Sequence, residues 1–138
     1  MKKWFLILAP TILLAGCSDL GDPVEPGGGG DPDDTPVSFS DDLWPILENR
    51  CLSCHNAGNP SGGFILDAND SPVNLVDMES TGYAPDLLVE SGSKENSVLY
   101  LKLVGDVAYG QKMPLGGTLS ASEVAKFGSW IDAGAQDN

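Results

Sequence analysis

Cys51-Leu52-Ser53-Cys54-His55 decides how the rest of this chain is read. Two cysteines three positions apart lie about one helical turn from each other. Both sulfurs then fall on one side and can reach the two vinyl groups on one edge of a porphyrin. His55 follows directly, where its imidazole lies beneath such a ring and can bind iron. In an exported protein this run reads as a covalent haem attachment site, with thioethers at Cys51 and Cys54 and His55 as proximal axial ligand.

Other chemistry uses the same residue types. A Cys-x-x-Cys pair serves as a redox dithiol or as half of a zinc site. Thioredoxin-like dithiols sit in a βαβ setting, and the flanks here show no parallel-strand pattern. Zinc takes four ligands, and the chain offers three cysteines and one histidine; Cys17 belongs to the N-terminal signal described next, so carboxylates would have to be recruited. A plain disulfide at this spacing closes a small, strained loop. These remain the competing readings of the same five residues.

The N-terminus bears on the compartment. Lys2 and Lys3 precede an apolar stretch from Trp4 to Ala15, interrupted by Pro10 and Thr11. That is the charged region and apolar region of a signal peptide, too short for a membrane-spanning helix. Leu14-Ala15-Gly16-Cys17 resembles the lipobox of bacterial lipoproteins. The resemblance implies that residues 1–16 are cleaved and that Cys17 is acylated. An ordinary secretory signal with a chance cysteine is the alternative. More than one acyl chain makes membrane anchoring stable. The expected location is therefore a bacterial membrane, facing the periplasm. Ser18 stands where some bacteria place an aspartate that retains lipoproteins at the inner membrane, which favours the outer one.

Residues 17–37 join this cysteine to the rest. They contain Asp22-Pro23, four glycines from Gly27 to Gly30, and Asp31-Pro32-Asp33-Asp34-Thr35-Pro36. Such a stretch has too little apolar surface to offset the entropy of ordering it. It reads as a flexible acidic tether, with a root-mean-square reach of roughly 25 Å and a limit of about 65–70 Å. Residues 38–138 are a suitable length for one compact domain. The whole chain carries 20 acidic against 7 basic residues, a net charge of −13. Losing Lys2 and Lys3 makes it more acidic still. Nucleic acid is excluded as a natural partner, and a basic patch on a redox protein suits the charge better.

Within the domain, Ser40-Asp41-Asp42 offers a cap and an acidic first turn for a short helix. That helix runs through Leu43, Trp44, Ile46 and Leu47 into Cys51. Residues 56–70 read as loop, with a brief apolar segment at Phe64-Ile65-Leu66. Ser71-Pro72 predicts the start of a short helix through Leu75 and Val76. Tyr83 to Gly92 reads as irregular or briefly extended. Ser97 to Val104 fits a buried helix or a strand by period; helix is favoured, closed by Gly105. Ser120-Ala121-Ser122-Glu123 is a capping box. Val124, Phe127, Trp130 and Ile131 then form one apolar face of a helix ended by Gly134, expected to pack across the first helix.

A second axial ligand must come from elsewhere in the chain. His55 is the only histidine. Met1 leaves with the signal peptide, so Met78 and Met113 are the candidates. Met113 precedes Pro114, which holds it in an extended backbone, and Gly116-Gly117 allow a close approach to a ring. Met78 falls in a polar stretch better suited to packing or surface. Met113 is therefore the expected distal ligand, in a His/Met pair that raises the potential. Arg50 and Lys112, beside the motif and the methionine, are candidates for pairing with propionates, or are solvated surface charges.

The domain resembles a monohaem class I cytochrome c, and more specifically the Planctomycete-type cytochrome c module. The matching stretches are Trp44-Pro45-Ile46-Leu47, Cys51-Leu52-Ser53-Cys54-His55 and Gly62-Gly63-Phe64-Ile65-Leu66-Asp67. They continue in Ser97-Val98-Leu99-Tyr100, Met113-Pro114-Leu115-Gly116-Gly117-Thr118-Leu119-Ser120 and Trp130-Ile131-Asp132-Ala133-Gly134-Ala135. The resemblance implies an all-α fold of short helices around one covalent haem c. A long loop-rich segment would separate the haem motif from the distal methionine. Asn56 departs from the pattern, because relatives often carry glycine after the histidine. The implied function is electron transfer between a donor and an acceptor protein, with no catalysis and no small-molecule substrate. A haem-based gas-binding or sensing module and a haem-bearing subunit of a larger redox enzyme are the alternatives.

Overall fold

The computed structural model describes residues 35–66 and 72–138. The signal peptide, Cys17, most of the tether and the predicted cap at Ser71 lie outside the described residues. Among the described residues there are three α-helices and one small antiparallel sheet, with less than half of the residues helical, so the expectation of a wholly helical fold is corrected to a mixed one.

The first helical element begins as a π-helical segment, Phe39–Leu43, and continues as α1, Trp44–Arg50. Its cap is Ser38, not the predicted Ser40: the Ser38 hydroxyl accepts from the Asp41 amide at 3.2 Å. The earlier start has a physical cause, since it carries Phe39 into the core beside Leu43 and Leu47. These three recur every fourth residue, the spacing of one helical face. Pro45 sits in the first turn of α1, where its missing N–H costs nothing. The amide of Cys51 still donates to the Leu47 carbonyl at 2.9 Å, and that of His55 to Cys51 at 3.0 Å. The coil of α1 thus carries on, loosened, through the whole cysteine motif.

Helix α3, Ala121–Asp132, opens with the predicted capping box: Ser120 N–H donates to Glu123 Oε2 at 2.7 Å, and Glu123 N–H to Ser120 Oγ at 3.2 Å. Phe127, Trp130 and Ile131 are buried and Val124 partly so, as the apolar face requires. The helix packs against the first helical element, with the Phe39 and Trp130 rings 5.3 Å apart and Lys126 bonded to Asp42 at 2.6 Å. Asn138 clasps the same region, accepting from Phe39 N–H at 2.9 Å and from Ser40 N–H at 3.0 Å.

Helix α2, Val98–Val104, resolves the ambiguous period in favour of helix and ends at Gly105 in the left-handed region, φ 84°. It lies against α3 at Gly128. A Cβ added there would come within 3.0 Å of the Tyr100 ring, so glycine sets the closeness of this crossing.

Between His55 and α2 the chain is held by turns and single bridges. Strands β1, His55–Asn56, and β2, Asn59–Pro60, form a hairpin directly after the motif. The Asn56 carboxamide oxygen accepts the Gly58 and Asn59 amides at 2.9 and 3.0 Å and so shapes the turn. The helix expected through Val76 is only a 3₁₀ turn, Pro72–Asn74. Asp77 adopts φ 58° and gives its amide to the Val89 carbonyl at 2.8 Å, which takes the chain out of any continuing helix and into a bridge. Among the described residues, no helix is long and apolar enough to cross a membrane.

Candidate functional site

The loosened coil after α1, the loop at Gly63, the inner side of α2 and the loop before Pro114 enclose a cavity of about 460 Å³. Cofactor sites commonly span about 300–1,000 Å³ and are mostly apolar with a few placed polar groups. Cys51 and His55, from one motif, and Met113, far from them in the sequence, line this one together. Leu88, Leu99 and Leu103 supply apolar wall.

His55 is oriented on two sides. Its carbonyl accepts the Leu66 amide at 2.6 Å, and its ring lies 5.1 Å from that of Phe64, tilted by 56°. Its Nδ1 is buried and meets no hydrogen-bond partner among the described residues. A buried polar atom left unpartnered costs about 1–3 kcal/mol. Because Nδ1 is covered by protein, it is not the ring atom that would meet a molecule seated in the cavity. Phe64 owes its place to Gly62 and Gly63, both at positive φ (66° and 75°), with Gly63 pressed against Thr81.

The two thiols differ. Cys51 is half-buried on the wall, and loss of solvent pushes its thiol up to about 11, with Arg50 opposing and Cys54 adding to the rise. Cys54 is exposed and stands outside the lining. They are not joined as a disulfide. A reactive dithiol needs a stabilised thiolate. Cys51 is pushed the other way, so it is not the thiol that would attack in such a pair. Among the described residues no three His, Cys, Asp or Glu side chains gather to hold a metal ion on their own.

Of the two methionines, Met113 is on the cavity wall and its amide donates to the Lys102 carbonyl at 2.9 Å. Met78 is 51% exposed and lies elsewhere. Neither Arg50 nor Lys112 lines the cavity, and both are exposed. The cation on the wall is Lys102, beside Tyr83, and sequence reasoning passed over both. Lys102 did leave a signal, as a lone charge inside the apolar run Val98-Leu99-Tyr100-Leu101-Lys102-Leu103-Val104. Tyr83 left none.

Comparison with protein-family models, with curated proteins and with solved structures finds no match.

Proposed function

We propose that this chain is a monohaem c-type cytochrome that carries single electrons between protein partners, with the class I cytochrome c arrangement around one haem. The observation that carries the reading is the meeting of Cys51, His55 and Met113 on one cavity. The donor set fits the group. Two thiols at the attachment spacing, one imidazole on the cavity wall and one thioether are what a covalent, doubly ligated haem asks of a polypeptide. The porphyrin would bring most of the metal's ligands with it, which suits a wall where protein ligands do not cluster.

Bound there, haem supplies a one-electron iron couple. The chain supplies position and surroundings. Cys51 and Cys54 would hold the ring by thioethers, Cys54 from outside the present wall. His55, steadied by Phe64, would offer an imidazole nitrogen to the iron, and Met113, tied by its amide to α2, a thioether sulfur. Leu88, Leu99 and Leu103 would keep water from the iron, and together with a thioether ligand this would raise the potential. Export and a lipid at Cys17 would hold the domain at the outer membrane on its tether, and the strong excess of acidic residues would favour a basic docking face on donor and acceptor.

The test is to export the full chain from a host that matures such cytochromes, then measure its mass and its pyridine haemochrome. One covalent haem per chain is expected. A colourless protein with both thiols free or oxidised to a disulfide overturns the reading. Met113→Ala should abolish the long-wavelength ferric band that reports sulfur on iron, and Met78→Ala should keep it; the converse would reassign the distal ligand.

A further inference from the structure

The sequence-adjacent cations, Arg50 and Lys112, are both exposed, whereas Lys102 turns inward from α2 onto the cavity wall. Its ammonium donates to the Tyr109 carbonyl at 2.7 Å and to the Tyr83 hydroxyl at 3.1 Å, and lies 5.1 Å from the centre of the Tyr83 ring. All of these partners are neutral. The other two lysines with side-chain partners differ: Lys94 pairs with Asp132 and Lys126 with Asp42. An acid beside the cluster, Asp86, is engaged by the Tyr109 hydroxyl at 2.8 Å. Among the described residues no carboxylate pairs with Lys102, in a chain where acids outnumber bases by 20 to 7. An ammonium has three protons to donate, and a partly desolvated one is costly until an anion meets it.

We propose that Lys102 is the counter-charge for a carboxylate of the molecule seated in this cavity, which, resting on the reading above, is a haem propionate. Tyr83 and the Tyr109 carbonyl aim the ammonium, leaving a proton of Lys102 for the ligand. The carboxylate would be held at the end of α2 next to the Met113 loop, whose amide the same residue's carbonyl accepts. Lys102 therefore ties the distal loop to the ring's anionic edge.

The experiment uses the full chain matured with haem, in four forms: the natural protein, Lys102→Met, Lys102→Arg and, as a surface control, Lys112→Met. Haem content comes from mass and haemochrome, propionate bonding from the resonance Raman propionate bending mode, and the iron couple from a potentiometric titration. Lys102→Met should keep its haem, shift the propionate mode and favour the ferric form about tenfold, a fall of about 59 mV for a one-electron couple. Lys102→Arg should restore both readouts, and Lys112→Met should move neither. Should Lys102→Met fail to accumulate, Lys102→Gln carries the same comparison. Loaded Lys102→Met with unaltered propionate mode and potential overturns the proposal and leaves the cytochrome reading standing. Absence of haem from the natural protein overturns both.

Discussion

Two parts of this domain are built on different terms. The first helical element and α3 bury Phe39, Leu43, Leu47, Phe127, Trp130 and Ile131 largely against one another, in a core that Leu66, Leu75 and Val89 of the following stretch and Leu103 of α2 also enter. The described part of the stretch from His55 to Ser97 is held by a hairpin over residues 55–60, single bridges and 3₁₀ turns, and it lines one side of the cavity at Gly62, Gly63, Phe64 and Tyr83. The helical pair is a frame; the stretch is a wall whose inner face is apolar. Rigidity and ligand contact are thereby divided between regions. A substitution in one should be read out by global stability, and in the other by occupancy of the cavity.

The comparison breaks most decisively at Trp130. It is 1% exposed, packs its ring at a tilt against Phe39 and gives its indole N–H to the Gln136 carbonyl at 2.8 Å. Trp130→Ala should cost about 3–5 kcal/mol in chemical denaturation, haem-loaded or not. If the loss appeared only in the loaded protein, the frame would not be self-sufficient.

Gly63 sharpens the other side. An alanine there suffers both its φ of 75° and a Cβ within 2.8 Å of Thr81, whereas at Gly62 only φ is unfavourable. Gly63→Ala should cost about 1–3 kcal/mol and disturb haem loading by displacing Phe64. Gly62→Ala should cost less, and parallel denaturation curves would measure the difference. Equal losses would mean that the Thr81 contact yields freely.

The smallest effect lies at the seam of the helical pair. Lys126, bonded to Asp42, holds that carboxyl below its usual value of 3.8, aided by the Ser38 amide. Both side chains are about one-third exposed, so the pair contributes only about 0.2–1 kcal/mol. A depressed carboxylate stabilises above its unfolded value and loses that contribution as pH falls through the folded one. Asp42→Asn should thus be slightly weaker than the natural protein at neutral pH, and the gap should close below about pH 4. A gap that persists in acid would point to packing instead.

The frame was legible in the sequence because its signals are local. The Ser120–Glu123 box, the four apolar positions after it and the run into Cys51 each lie within a few turns of one helix. Met113 could be preferred to Met78 for a similar reason, since a proline and two glycines mark a loop able to approach a ligand. The wall was not legible. The hairpin after His55 depends on one asparagine oxygen accepting two amides, and the shortened helix at Pro72 on a bridge to Val89 in a distant turn. Lys102 was missed because α2 is apolar almost all round, so its sequence shows no inward side. The direction of that lysine is decided by Tyr83 and Tyr109, which the chain brings up from either flank.

The clasp between Ser38 and Asn138, a hydrogen bond of 2.8 Å across a separation of 100 residues, has a modular consequence. Polypeptide arriving at one and leaving from the other shares a single doorway, so the unit can be grafted into a surface loop of a host protein without being stretched. For the same reason its ends could be joined and the chain reopened at an exposed turn, giving a rearranged order of elements around the same interior.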